Sequence, residues 1–286
     1  MTPRTRAPVA FIVLGNARSR DLFGAIAALV GYNASMSAFA QSSQPTHDLR
    51  QAYLSSLPEP QEWFLEELVE AGQFWTHEDG SYGVLHGQTL VEYFSADAAH
   101  AGELLSALHD QTSFSMALAK SFDRPFVQSL KQLGWAASVG GHLFRKRSAY
   151  DRTDIAAAQI RPATQDDVQS HWHINDDFFE TEDEVRALAD RGRLLTVTMD
   201  REIAGCGVFQ RVIADRDAVD IGMMVAPNVR RKGLGTFIVC AMADRVEAEG
   251  LRPICGCGAR NTASKATLEK AGFVSNHQLL SFAQGR

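Results

Sequence analysis

Six consecutive residues, Arg230-Arg231-Lys232-Gly233-Leu234-Gly235, carry the clearest chemistry in the chain. Three cations stand beside two glycines, directly after the β-rich run Val219–Val225 and before an apolar helical run that starts at Leu234. Backbone N–H groups at a helix amino end have no intrahelical partner, and the helix dipole adds roughly half a positive charge there. Glycine lets an oxygen approach the main chain, while neighbouring cations draw anions from a distance. Such a junction suits a phosphate or pyrophosphate. Two familiar phosphate loops are excluded by spacing. A P-loop needs Gly-Lys followed by Ser or Thr, and a dinucleotide fingerprint needs a third glycine.

The junction, as Arg230-x-x-Gly233-x-Gly235, resembles the Arg/Gln-x-x-Gly-x-Gly/Ala pattern of the GNAT superfamily of N-acetyltransferases. Downstream, Asn261-Thr-Ala-Ser264 and the end Ala271-Gly272-Phe273 resemble the same family's Asn-x-x-Ser helix with its Gly-Phe close. The resemblance spans residues 159–283. It implies an α/β (α+β) fold, a mixed and mostly antiparallel sheet flanked by helices. It also implies acyl-CoA in a V-shaped cleft where strands ending near Val225 and Cys257 splay apart. By that resemblance the backbone of Met223, Met224 and Val225 pairs with pantetheine, and Arg230 opens the loop. The amides of Arg231, Lys232, Gly233, Leu234, Gly235 and Thr236 hold the pyrophosphate, and Asn261 contacts the pantetheine arm or ties the splayed strand. The implied co-substrate is acetyl-CoA, with no metal. The implied reaction is direct transfer of an acetyl group to a primary amine of a small molecule or peptide.

Acetyl transfer to an amine needs a neutral nucleophile, a polarised thioester carbonyl and a proton for the departing thiolate. The family often supplies that proton from a Tyr shortly before the Gly-Phe end, where this chain has Leu268. Ser264, one turn earlier on the same helix face, is the substitute; its other reading is a helix-capping hydroxyl. Asp220 is the candidate base, acting directly or through water; its other reading is a solvated strand end after the charged turn Asp215–Asp217. His171, His173, Asp176, Asp177 and Glu180 fall in the helix–loop region that covers substrate in relatives. They read as a surface helix face or as an acceptor-recognition surface whose acidic lining favours a cationic amine. His171-x-His173 lacks the i, i+4 spacing of a helical metal site. The missing Tyr also leaves open a non-catalytic acyl-CoA-binding sensor or interaction protein. An aminoacyl or longer-acyl transferase stays open as well, because two-domain relatives include such enzymes.

The elements that must hold these residues form a repeat. Leu194–Met199, Ile203–Phe209 and Val219–Val225 are predicted strands, followed by a helix Leu234–Glu249, a strand Ile254–Cys257 and a helix Ser264–Lys270 ended by Gly272. Thr164–Asp177 and Thr181–Arg191 precede them as predicted helices with good capping sequences. Upstream the same order is predicted as strands Phe74–His77, Ser81–Leu85 and Thr89–Phe94, helix Ala96–His109, strand Phe114–Ala119 and helix Phe126–Leu133, ended by Gly134. A helical run Gln61–Ala71 comes before it. Leu130-Lys-Gln-Leu-Gly-Trp135 parallels Leu268-Glu-Lys-Ala-Gly-Phe273 at a separation of 138 residues. A repeat that long implies a duplicated domain, not a solenoid array. In the first copy the corresponding junction Phe94–Gly102 lacks the motif, Asp97 would repel phosphate, and Asp123 replaces Asn261. We therefore expect a two-domain (tandem) arrangement: 1–46 an extension, 47–150 a degenerate copy, and 151–286 the catalytic domain. The boundary falls in the polar stretch Arg147–Ile155 after the basic run Arg145-Lys146-Arg147.

Composition sets the remaining limits. With 286 residues and a net charge of −6, the chain has no broad basic footprint for nucleic acid or an anionic membrane. Cys206, Cys240, Cys255 and Cys257 read as reduced and structural. Arg4, Arg6, Arg18 and Arg20 precede an uncharged stretch from Leu22 to Thr46 containing Ala38-Phe39-Ala40. This is a secretory signal pattern or an extension with Met36 as an alternative start, and on either reading it is not expected to carry the fold. Gly31, Tyr32, Asn33 and Ser35 dilute it, so stable membrane insertion is not expected. A cytosolic co-substrate implies a cytoplasmic protein, with monomer and homodimer both open.

Overall fold

The computed structural model describes residues 38–42, 47–150 and 155–284. The first half runs β1 (Ala40–Ser42), α1 (His47–Ser56), α2 (Trp63–Glu70), β2 (Gln73–Thr76), β3 (Tyr82–His86) and β4 (Thr89–Phe94). It continues through α3 (Ala101–Thr112), β5 (Met116–Lys120), α4 (Arg124–Gln132) and β6 (Ala136–Arg147). The second half runs β7 (Ala158–Pro162), a 3-10 turn (Gln165–Asp167), α5 (Val168–His173), α6 (Glu182–Asp190), β8 (Leu194–Met199) and β9 (Glu202–Arg211). It ends with β10 (Ala218–Val225), α7 (Leu234–Ala248), β11 (Arg252–Gly258), α8 (Thr262–Lys270) and β12 (Phe273–Ala283).

All these strands join one sheet, in the order β1-β2-β3-β4-β5-β12-β6-β11-β10-β9-β8-β7. Only β4–β5 and β10–β11 pair in parallel among the described strands. The sheet is thus mixed and mostly antiparallel, as expected. The repeat appears as β4-α3-β5-α4-β6 against β10-α7-β11-α8-β12, but the two final strands are exchanged. β6 pairs with β11 of the second half, and β12 pairs with β5 of the first. β6 and β12 then pair with each other along their length, from Phe273↔Arg147 to Ala283↔Ala136. Exchange of equivalent strands satisfies the same ladder bonds either way. The boundary expected at residue 150 falls after β6, and the sheet runs continuously across it.

Apolar faces on both sides of the sheet supply the core. Ile238, Val239 and Met242 of α7 and Leu268 of α8 bury Val219 and Ile221 of β10. On the other face Val168, Val185, Cys206, Val208 and Met224 pack together. Each such side chain contributes about 1.5–3 kcal/mol of burial. All four cysteines are buried and free.

Three expectations change. Helix α3 starts at Ala101 and not at Ala96, because Asp97 Oδ1 accepts the Ala99 N–H at 2.9 Å and holds a local turn. The helix expected over Thr164–Asp177 breaks into the 3-10 turn and a short α5. Asn175 Oδ1 accepts the N–H groups of Phe178 and Phe179, both at 3.0 Å, and turns the chain. Finally, part of the 1–46 segment does belong to the fold. β1 pairs with β2, and Phe39 is buried with its N–H and C=O both bonded to the Gln111 amide. Residues 1–37 and 43–46, with the rest of the signal-like pattern, lie outside the described residues. Among the described residues no helix is long and apolar enough to cross a membrane.

Candidate active site

The sheet opens where the sequence motif lies. β10 and β11 pair only from Ala218↔Arg252 to Asp220↔Ile254. Beyond that point β10 stays paired to β9 as far as Val225, and β11 to β6 as far as Gly258. The facing edges from Ile221 and Cys255 onward therefore diverge, leaving backbone groups available between them. At the open end Gly233 caps α7 in the left-handed region with φ 84° and no side-chain bond, so the first-turn amides keep their N–H groups free. Arg231 is also left-handed, at φ 63°. A non-glycine residue held there costs roughly 1–2 kcal/mol, a strain that marks a shaped loop. Gly235 answers a different need: a Cβ there would stand 3.1 Å from Thr267 Cγ2 and 3.4 Å from Met223 Sδ. The start of α7 thus presses against β10 on one side and α8 on the other.

All three loop cations are exposed, and Arg231 and Lys232 face solvent without an ion pair among the described residues. Arg230 is committed. Its Nε donates to Val225 O at 3.0 Å and its Nη2 pairs with Asp176 at 2.6 Å, bracing the loop against the end of β10 and the α5–α6 connection. Leu234 and Thr236 are buried, which leaves their amides as the groups turned to the helix end. Asn261 caps α8, its Oδ1 accepting the Ser264 N–H at 3.0 Å. The cap is therefore Asn261, and the Ser264 hydroxyl is left for other work beside β11. Burial pushes the neighbouring Cys257 thiol up to about 11, against the pull of Lys265 and of a bond to the Ser264 hydroxyl.

Asp220 sits at the point of the V. It is 1% exposed, which removes the reading of a solvated strand end. Strand alternation turns it away from α7, toward the first half of the chain. There its Oδ2 accepts the Trp63 N–H at 3.0 Å, while Oδ1 is buried with no hydrogen-bond partner among the described residues. Burial pushes its pKa up to about 7, against the opposing pull of nearby Arg145. A carboxylate that gains and loses its proton near neutral pH is what general base catalysis requires. Glu62, Trp63 and Arg145 had no signal in the sequence, since Trp63 and Asp220 are 157 residues apart.

The region over this face holds a second surprise. His171 is buried rather than on a surface helix face, its Nε2 2.9 Å from Thr196 Oγ1. Thr196 bonds Asp167, which takes both terminal nitrogens of Arg161 at 2.6 and 2.7 Å. His173, Asp176, Asp177 and Glu180 are exposed. Burial pushes Glu67 of α2 and Glu184 up to about 7; the charges of Glu184 and Glu180 add to the rise at Glu67, and that of Glu180 to the rise at Glu184, against hydrogen bonds that lower both. Among the described residues no group of three or more His, Cys, Asp or Glu could hold a metal ion.

Burial holds the His171 pKa down to about 4. The unfolded chain binds this proton below about 6.5 and the folded chain does not, so the contribution to stability is complete above 6.5 and lost as pH falls toward 4. The raised carboxylates act in the opposite sense over the same window, so the comparison must be against a variant. Relative to His171→Gln, the wild type should lose about 2 kcal/mol between pH 7 and pH 5 in urea unfolding. A difference that stays constant with pH would refute the buried neutral imidazole.

Residues 143–274 match the sequence model of a family described as Acetyltransferase (GNAT) domain. An acetyltransferase from the GNAT family of Colwellia psychrerythraea is similar over 86% of this chain and 99% of its own, with a TM-score of 0.75 at 14% identity. A GCN5-related N-acetyltransferase from Kribbella flavida is similar over 86% of this chain and 97% of its own, at 0.56 and 13%. One from Sphaerobacter thermophilus is similar over 75% and 80%, at 0.53 and 12%. These likenesses establish the fold, and coverage of 86% takes in both halves of the sheet. No curated protein matches the chain.

Proposed function

We propose that the chain is an acetyl-CoA-dependent N-acetyltransferase of the GNAT type with one working site, between β10 and β11, a reading supported by the match of residues 143–274 to the acetyltransferase (GNAT) domain model. The observation that carries this is the divergence of those strands at Asp220, with the glycine-capped α7 at the open end. The free β10 edge at Met223, Met224 and Val225 offers backbone partners to pantetheine. The amides from Arg231 to Thr236 offer theirs to the pyrophosphate. Acetyl-CoA supplies the acetyl thioester. Asp220 takes the proton of the attacking amine on Oδ1, and the Ser264 hydroxyl passes a proton to the departing thiolate while taking one from solvent water. Glu67, Glu180 and Glu184 favour an acceptor amine that carries further positive charge. Because the reaction draws on acetyl-CoA, we place it in the cytoplasm.

The first half is best explained as a copy without a cofactor site. Its β4–β5 pairing also stops early, at Leu90↔Ala117. Here, however, side chains bridge the gap. Glu92 on β4 pairs with Arg50, Arg50 with Glu66, Glu66 with Gln61, and Gln61 accepts from Lys120 on β5 at 2.7 Å. A chain of satisfied, buried polar groups stands where a pantetheine would lie.

Calorimetry with acetyl-CoA, then thiol release over a panel of monoamines, polyamines, amino acids and peptides, tests the reading. Binding with turnover is expected, and Ser264→Ala should lower kcat about 100-fold without changing affinity for acetyl-CoA. Binding without turnover would favour the sensor, whose support is Leu268 in place of Tyr. No binding overturns both.

A further inference from the structure

Asp220 belongs to the second half of the chain, yet its surroundings are built by the first. Trp63 opens α2, and its amide is one of the first-turn donors that no helix can satisfy internally. It bonds Asp220 Oδ2. The preceding residue, Glu62, is ion-paired with Arg145, and both residues are buried, at 2% and 1% exposure. Arg145 lies on β6, the exchanged strand. Its Nε donates to Pro60 O at 2.7 Å and its Nη1 to Cys255 O at 3.3 Å. The guanidinium thus ties the Pro60–Trp63 segment to β11 one residue past the last β10–β11 pair. Two carboxylate oxygens at this seam, Asp220 Oδ1 and Glu62 Oε2, are buried without a hydrogen-bond partner among the described residues. Leaving such groups unpaired is costly, and structures that keep them keep them for a reason.

We propose that Glu62, Arg145 and the Trp63 amide are positioning groups for Asp220, so that the first half of the chain completes the active site of the second. The inference rests on the reading of Asp220 as proton acceptor. The Trp63 amide fixes one carboxylate oxygen and leaves Oδ1 as the one that meets the amine. Glu62 and Arg145 act on the charge of Asp220 in opposite senses, the anion disfavouring ionisation and the cation favouring it. The groups facing Asp220 are few: Glu62 just before α2 and the Trp63 amide that opens it, Arg145 from β6, the Cys255 thiol from β11, the neighbouring Ile221 amide of β10, and neutral Gln210 opposite it on β9. A merely structural role, capping α2 from a distance, would leave catalysis indifferent to the sign of these charges.

The test is the pH profile of kcat/KM of the full chain, with acetyl-CoA and the best amine of the panel. In the wild type the acid limb is expected near pH 7. Glu62→Gln should move it down by about one pH unit, and Arg145→Gln up by about one, with acetyl-CoA affinity unchanged in both. If Arg145→Gln does not fold, Arg145→Lys keeps the cation and should hold the limb in place, and Glu62→Gln alone decides. Asp220→Asn separates the two readings. An acid limb that survives in Asp220→Asn belongs to another group and overturns Asp220 as the base. A limb abolished there but unmoved by Glu62→Gln overturns the positioning role alone.

Discussion

Gly233→Asp is expected to abolish acetyl-CoA binding while leaving the fold in place. Gly233 is the residue before α7, in the left-handed region at φ 84°. Aspartate tolerates that region better than most residues and is among the preferred caps at a helix start. Its charge also suits the positive end of the helix dipole. The variant should therefore unfold within about 1–2 kcal/mol of the wild type. The carboxylate would, however, sit at the place the pyrophosphate needs and satisfy the amides that should receive it. Affinity by calorimetry should fall at least ~100-fold, a loss of about 2.7 kcal/mol. Gly233→Ala adds the conformational cost without the charge and should fall between the two. Equal affinities in all three proteins would sink the proposed loop.

That loop was legible because its signals are local. The strand expected over Val219–Val225 is found over Ala218–Val225, and the helix begins at Leu234 as expected. Turn, glycine and cap all act within a few residues, so spacing alone places them. The strand exchange was not legible. β6 and β12 close equivalent copies, and strand patterning says that each will pair but not with which neighbour. Arg145 is the sharper case. In the run Arg145-Lys146-Arg147 it reads as part of a polar boundary, yet it is buried while Lys146 is exposed. Alternation along β6 turns Arg145 inward, and the partner that makes burial tolerable is Glu62, 83 residues away. His171 failed for the same reason, since it lies on α5 and its partner Thr196 on β8, 25 residues away. Long-range pairing decided what composition read as surface.

Asp220→Asn is expected to lower kcat by about 10²–10⁴-fold, the usual range for loss of a general base. The substitution keeps the shape, and an asparagine oxygen can still accept the Trp63 N–H. It removes the group that must hold the amine's proton. Affinity for acetyl-CoA should stay within about twofold, because the pyrophosphate loop and the β10 edge are untouched. Stability should not fall at pH 8. Burial raises the folded-state pKa of Asp220 to about 7 from an ordinary 3.8. The folded protein therefore keeps this proton between those values, and its stabilising effect is lost as pH rises through 7. Above pH 7 the wild type bears a buried charge that asparagine does not, so a slow variant cannot be dismissed as an unfolded one. Its residual rate should also no longer rise through pH 7. Full turnover in Asp220→Asn would mean that the amine loses its proton to water or to another group. Asp220 would then be only the remote cap of α2.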